Sequence, residues 1–202
     1  MTLPQQLLFL PGASGNTRFW QPVAERLRHP AARHHLGWPG FGPTPPDPSV
    51  KGLDDLAAGV AACIDRPSAL IAQSMGGIVA VKAALARPGL VTHLVLAATS
   101  GGIDVRALGG EDWRPAFVQA NPALPDWFVQ DRSDLSGALA SLAMPVLLLW
   151  GDADPISPLS VGRHLAALLP RATLHVLPGG AHDAACTHAN EAAPLIEAHL
   201  AC

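Results

Sequence analysis

Six short strand-like runs, separated by stretches of helical periodicity, constrain this chain more than any other feature of its 202 residues. They are QLLFL (6–10), ARHHL (32–36), ALIAQ (69–73), THLVLAA (92–98), VLLLW (146–150) and TLHVL (173–177). Between them, apolar residues recur every three or four positions. Trp20, Val23 and Leu27 form one such set, Leu53, Leu56, Val60 and Cys63 a second, and Val161, Leu165 and Leu168 a third. Each set predicts one buried helix face. Strands that alternate with amphipathic helices imply an α/β fold, with about six mostly parallel strands and helices on both faces. The length suits a single domain spanning residues 1–202.

Several local signals refine this frame. The run from Met75 to Arg87 is apolar almost all round, apart from Lys82, and so predicts the most deeply buried helix, placed centrally on the sheet. Ser157 before Pro158 reads as an N-cap with a first-turn proline. GWPGFGPTPPDPS (37–49) can be neither helix nor central strand. The segment 99–144 is far longer than a crossover needs and carries Trp113, Phe117, Trp127 and Phe128, so a small ordered cap with an apolar face is expected there.

Composition excludes several classes. With 49% hydrophobic and 14% charged residues the chain is not disordered, and a net charge of −3 supplies no basic field for nucleic acid. No apolar run approaches the roughly 20 residues of a membrane-spanning helix, and MTLPQQLLFLPG lacks the basic start of a secretory signal. A soluble cytoplasmic protein is expected, with no nucleic-acid or membrane partner. Cys63, Cys186 and Cys202 show no metal-like spacing, so reduced thiols are the expectation.

The chemistry concentrates at Ser74, which sits between the apolar run 69–73 and the helical run behind it. Ala72, Gly76 and Gly77 flank it with small side chains, as a sharp strand-to-helix turn requires. A serine there could simply cap the helix. It could equally be thrust out as a nucleophile, with the positive end of the helix beneath it. A nucleophilic serine needs a histidine to take its proton and an acid to orient that histidine. Two later loops offer both: GDADPISP (151–158) holds Asp152 and Asp154, and PGGAHDAA (178–185) holds His182.

Ala72-Gln73-Ser74-Met75-Gly76 resembles the nucleophile elbow G-x-S-x-G of the α/β-hydrolase fold superfamily, in its serine-nucleophile esterase branch with a short cap, with alanine in place of the first glycine. The order serine, acid, histidine on loops after successive strands is also that family's. The resemblance implies Ser74 as nucleophile, His182 as base and Asp154 as acid, since Gly151 and Asp154 match the family's G-x-x-D better than Asp152 does. The other eight histidines fall in strands, where packing explains them, or, for His29, His93, His164, His188 and His199, on solvated faces and element ends. It further implies backbone N–H donors from Met75 and from Ala13, in the loop LPGASGNTRFW (10–20), where Pro11 replaces the usual histidine. The alternative reading of that loop as a dinucleotide-binding turn fails, because Gly12 and Gly15 give only G-x-x-G. The resemblance runs from residue 6 to about 200, and two strands that precede that point in the family are expected to be absent.

The implied activity is cleavage of a carboxylic ester or thioester of a small to medium acid through an acyl-enzyme, with a small-molecule substrate and without cofactor or metal. Haloalkane dehalogenases and epoxide hydrolases resemble this fold but carry aspartate at the elbow, against which Ser74 argues. A carbon–carbon bond hydrolase or a receptor-like binding protein on the same scaffold is left open by the motifs. Trp113, Trp127 and Phe128 are the candidate substrate pocket, with Trp38 and Ile156 at its rim; the same aromatics could instead pack the cap onto the domain.

Overall fold

The computed structural model describes residues 2–125 and 127–202. In chain order the elements are β1 (Gln6–Leu10), α1 (Gln21–Ala24), β2 (Ala32–His35), α2 (Leu53–Cys63), β3 (Ser68–Gln73), α3 (Met75–Ala86) and β4 (Val91–Ala97). A 3₁₀ turn (Arg106–Leu108) and three short helices follow, α4 (Arg114–Ala120), α5 (Trp127–Gln130) and α6 (Ser136–Leu139). The chain then continues through β5 (Val146–Gly151), α7 (Leu159–Leu168), β6 (Ala172–Leu177), α8 (Ala184–Thr187) and α9 (Ala189–Leu200). No helix among the described residues is long and apolar enough to cross a membrane.

The six strands form one sheet in the order β2-β1-β3-β4-β5-β6, and every neighbouring pair is parallel. The central strands read as unbroken apolar runs because both of their faces are covered. Leu8, Leu10, Leu70, Ala72, Leu94, Leu96 and Leu148 point into one layer with α2, α3 and α7. Their alternates Leu7, Phe9, Ala69, Ile71, Val95 and Leu149 point into the other, against Trp20, Val23, Ile196 and Leu200. The α/β class and the helices on both faces are therefore as the sequence implies. β2 ends one residue earlier than expected, although Leu36 N–H still donates to the Phe9 carbonyl.

The chain leaves β1 for β2 on one side and returns for β3 on the other. This reversal opens a crevice at the carboxyl ends of β1 and β3, where open parallel sheets bind ligands. α3 packs across that centre with a glycine at its first full turn: a Cβ on Gly76 would collide with the Pro11 carbonyl oxygen. Its neighbour Gly77 is closed in by Thr99 in the same way.

Three local expectations are corrected. Ser157 does not cap α7: Pro158 occupies the N-cap in an extended conformation, while the Ser157 hydroxyl is buried without a partner among the described residues. Its backbone is engaged elsewhere, the N–H with Asp154 and the carbonyl with the Trp150 indole. Cys63 is exposed, and Ile64 takes the buried position one residue later. His93 and His199 are not solvated. The two rings meet edge to face, 5.3 Å apart, where the end of α9 crosses β4, and both Nε2 atoms are buried without a hydrogen-bond partner among the described residues.

Burial lowers the pKa of both rings, with His29 and Arg171 adding unfavourable charge around His93, and His199 is pushed down to about 4. The unfolded chain, with ordinary histidines, therefore binds more protons than the folded one as pH falls from about 6.5 toward 4. The stability of the neutral pair is complete above that window and is lost within it. Chemical denaturation of the wild type should show a progressive loss from pH 6.5 to pH 4, and His199→Leu should flatten that slope.

Candidate active site

Ser74 joins β3 to α3 with φ 53° and ψ −124°, a conformation that side chains with a Cβ adopt rarely and that costs about 1–3 kcal/mol. Three hydrogen bonds hold it there. Ser74 N–H donates to the Ala97 carbonyl at 3.0 Å, and the Ser74 carbonyl accepts from Gly77 N–H at 2.9 Å and from Thr99 Oγ1 at 2.6 Å. Ala98, with φ 46°, turns the end of β4 so that Thr99 can make that contact. The Ser74 hydroxyl does not cap α3. It lies 3.0 Å from His182 Nε2.

His182 projects from the loop between β6 and α8, and its Nδ1 lies 2.8 Å from Asp154 Oδ2. A carboxylate partner fixes the proton on Nδ1, which leaves Nε2 as the acceptor facing the hydroxyl. The Asp154 side chain is fully buried, and its second oxygen accepts the N–H groups of Ile156 at 2.9 Å and Ser157 at 3.0 Å. Those bonds compensate the burial of its charge.

Asp152, the other acid on this loop, serves the loop that carries the ring: its Oδ1 accepts Gly179 N–H at 2.6 Å. A Cβ on Gly151 would strike the Gly180 carbonyl oxygen, so the two loops run in direct contact.

The loop after β1 is pinned by two buried indoles. Trp20 Nε1 donates to the Leu10 carbonyl at 3.0 Å and Trp38 Nε1 to the Pro11 carbonyl at 2.9 Å. Gly15 N–H closes the turn onto the Gly12 carbonyl at 3.0 Å. The N–H groups of Ala13 and Met75 donate to no acceptor among the described residues. Trp38 is thus 2% exposed and sits beneath the loop, not at a rim.

The aromatic residues of segment 99–144 gather around Phe128, which contacts Trp113, Phe117 and Trp127 at centroid separations of 5.2 to 6.3 Å. The cluster closes on the fully buried Phe41, which lies 5.4 Å from Phe128 and 5.5 Å from Trp127. Trp113 and Trp127 keep half-buried faces, as does Ile156 beside Asp154. A cavity of about 60 Å³ is lined by Phe117, Leu124 and Phe128. A groove of about 540 Å³ beside Arg18, Arg33 and His35 contains no residue of the Ser74 cluster.

The model of the alpha/beta hydrolase family matches residues 7–198. The chain belongs to that family. Among its relatives in this alpha/beta hydrolase family are two named as pimeloyl-[acyl-carrier protein] methyl ester esterases. The one from Aliivibrio salmonicida is 24% identical, with 92% of this chain and 88% of that protein covered, and the one from Xanthomonas campestris pv. campestris is 27% identical, with 96% and 94% covered. The fold is shared with an esterase of Thermogutta terrifontis, at a TM-score of 0.81 and 19% identity over 100% of this chain and 91% of that one. It is shared equally with a bromoperoxidase of Bacillus anthracis, at 0.83 and 15% over 98% and 92%.

The sequence offers Thr99 no role and Asp152 only that of a competing acid, and each is a polar residue at the end of an apolar run. Thr99→Val removes the hydroxyl that holds the strained Ser74 carbonyl and should destabilise the alpha/beta hydrolase domain by about 1–2 kcal/mol. Urea unfolding should report this as a lowered midpoint at constant m, with Thr99→Ser close to wild type.

Proposed function

We propose that this alpha/beta hydrolase is a serine esterase that cleaves carboxylic esters or thioesters of small to medium acids through an acyl-enzyme. The observation that carries the reading is the hydrogen-bonded line Ser74 Oγ, His182 Nε2, His182 Nδ1, Asp154 Oδ2, with separations of 3.0 and 2.8 Å. The Ser74 hydroxyl attacks the substrate carbonyl while His182 Nε2 takes its proton. Asp154 keeps the imidazole in the required tautomer and stabilises the imidazolium. The oxygen that becomes negative meets the N–H groups of Ala13 and Met75 and the positive end of α3.

Collapse of the tetrahedral adduct breaks the bond to the alcohol or thiol, which leaves with the proton from His182. Water then attacks the acyl-enzyme, His182 again takes a proton, and the acid is released as Ser74 recovers its hydrogen. The names of the relatives from A. salmonicida and X. campestris favour an ester over a carbon–carbon bond as the target. In this reading segment 99–144 is a cap, with Trp113, Trp127 and Ile156 presenting their free faces toward the acyl or alcohol group, while Phe128 supports the two indoles from behind and Trp38 holds the loop after β1.

Hydrolysis of short p-nitrophenyl esters and labelling by a fluorophosphonate probe test the mechanism together. Label should map to Ser74, and Ser74→Ala should lose both label and turnover, with a fall in kcat of up to about a millionfold. Asp154→Asn should lower kcat by about 10⁴-fold with the fold intact. Absence of both label and turnover in folded wild type would replace this reading with a ligand-binding protein. Trp127→Ala should shift the preferred acyl chain length, and an unchanged preference and KM would remove the cap from substrate selection.

A further inference from the structure

Gln73, immediately before Ser74, breaks the pattern of its strand. Ala69 and Ile71, on the same face of β3, lie in the apolar layer against α1, α8 and α9, and Gln73, only 5% exposed, continues that row with an amide side chain. Burying an amide is unfavourable unless it is hydrogen-bonded. Its Nε2 donates to the His182 main-chain carbonyl at 3.2 Å, and that carbonyl receives no other hydrogen bond from the described residues. Its Oε1 lies against Gly12, where a Cβ would collide with it. One side chain thus touches the loop that carries the imidazole and the turn that carries Ala13.

We infer that Gln73 is a positioning residue that sets the spacing between His182 and the Gly12–Ala13 turn across the reacting centre. The inference rests on the esterase reading. Asp154 fixes the His182 ring at one nitrogen and main-chain hydrogen bonds hold Gly180, Ala181 and Asp183 on either side, while the His182 carbonyl itself is held by the Gln73 amide. Ser74 Oγ, 3.0 Å from Nε2, is the atom that would feel a displacement of that carbonyl. The amide is suited to the task because it offers its donor to the carbonyl of one loop while its oxygen buttresses a glycine of the other. An apolar side chain of the same length would fill the space and leave the carbonyl without a partner.

The test compares Gln73→Met, which keeps the volume and removes the donor, with Gln73→Glu, which donates to the carbonyl only when its carboxyl is protonated. With p-nitrophenyl butyrate, kcat of Gln73→Met should fall about tenfold to a hundredfold while KM stays within about twofold, as expected for misplacement of a reacting group. The activity of Gln73→Glu relative to Gln73→Met should climb as pH is lowered, a dependence that lost packing alone would not produce. In Gln73→Met the ¹³C resonance of the His182 carbonyl should move upfield with the lost hydrogen bond, and in Gln73→Glu it should do so as the carboxyl ionises at raised pH. A Gln73→Met enzyme with a lowered Tm but unchanged kcat would overturn the inference, as would two variants that track each other at every pH. If the wild type takes no fluorophosphonate label at Ser74, the esterase reading fails; the carbonyl resonance then decides the contact alone, and an unmoved resonance overturns it.

Discussion

The structure depends on the contact between the first turn of α3 and the end of β1, where Gly76 lies against the Pro11 carbonyl. Neither backbone tolerates a side chain between them. Because they touch, the turn after β1 lies directly beside the start of α3, with Gly12 against Gln73 and Ser74. The same contact forces β3 to turn sharply into α3, and that turn sets the positive φ of Ser74. The strain is borne by neighbours: Ala97 and Thr99 on β4 and its exit hold the main chain on both sides of the serine. A serine fixed in this way does not play the ordinary role of a helix cap.

The charge of Asp154 is managed with comparable economy. One carboxylate oxygen takes two backbone N–H groups of its own loop, and the other takes the imidazole. The loop folds around its acid, and the buried charge becomes an organiser of the backbone as well as of the ring. Asp152, exposed and two residues earlier, ties the histidine loop from outside. The two aspartates of GDAD are thereby divided between the side chain and the main chain of one functional segment.

Much of this was legible in the sequence because burial on both faces writes itself as plain apolar runs. All six strands lie within two residues of their expected ends, and α3 holds the central place that its all-round apolar surface implied. The small residues around Ser74 signalled the sharp turn, and the loop order signalled which histidine reaches it. Long-range polar pairings were not legible. Nothing local marks His93 and His199 as partners, since they meet only through the packing of α9 on β4. Trp38 reads as a rim residue because it stands in a loop rich in proline and glycine, yet its indole N–H draws it inward to the Pro11 carbonyl. The aromatic residues 113–128 announced apolar packing but not that Phe41 would be its partner. Ser157 followed by proline carried the signature of a cap, but Asp154 claimed its backbone first.

The two indoles beneath the loop after β1 give the molecule a native optical label. The chain has five tryptophans and no tyrosine, so its near-ultraviolet emission arises from indole alone. Trp20 and Trp38 are almost wholly shielded from water, and each is hydrogen-bonded to a carbonyl at the mouth of the crevice. Any movement of the Gly12–Ala13 turn alters the polarity felt by those rings. Trp150 is equally shielded and donates to the Ser157 carbonyl. With Trp150→Phe, therefore, the emission of Trp20 and Trp38, resolved from that of the half-buried Trp113 and Trp127 by a collisional quencher, follows the conformation of this turn in solution without an added probe.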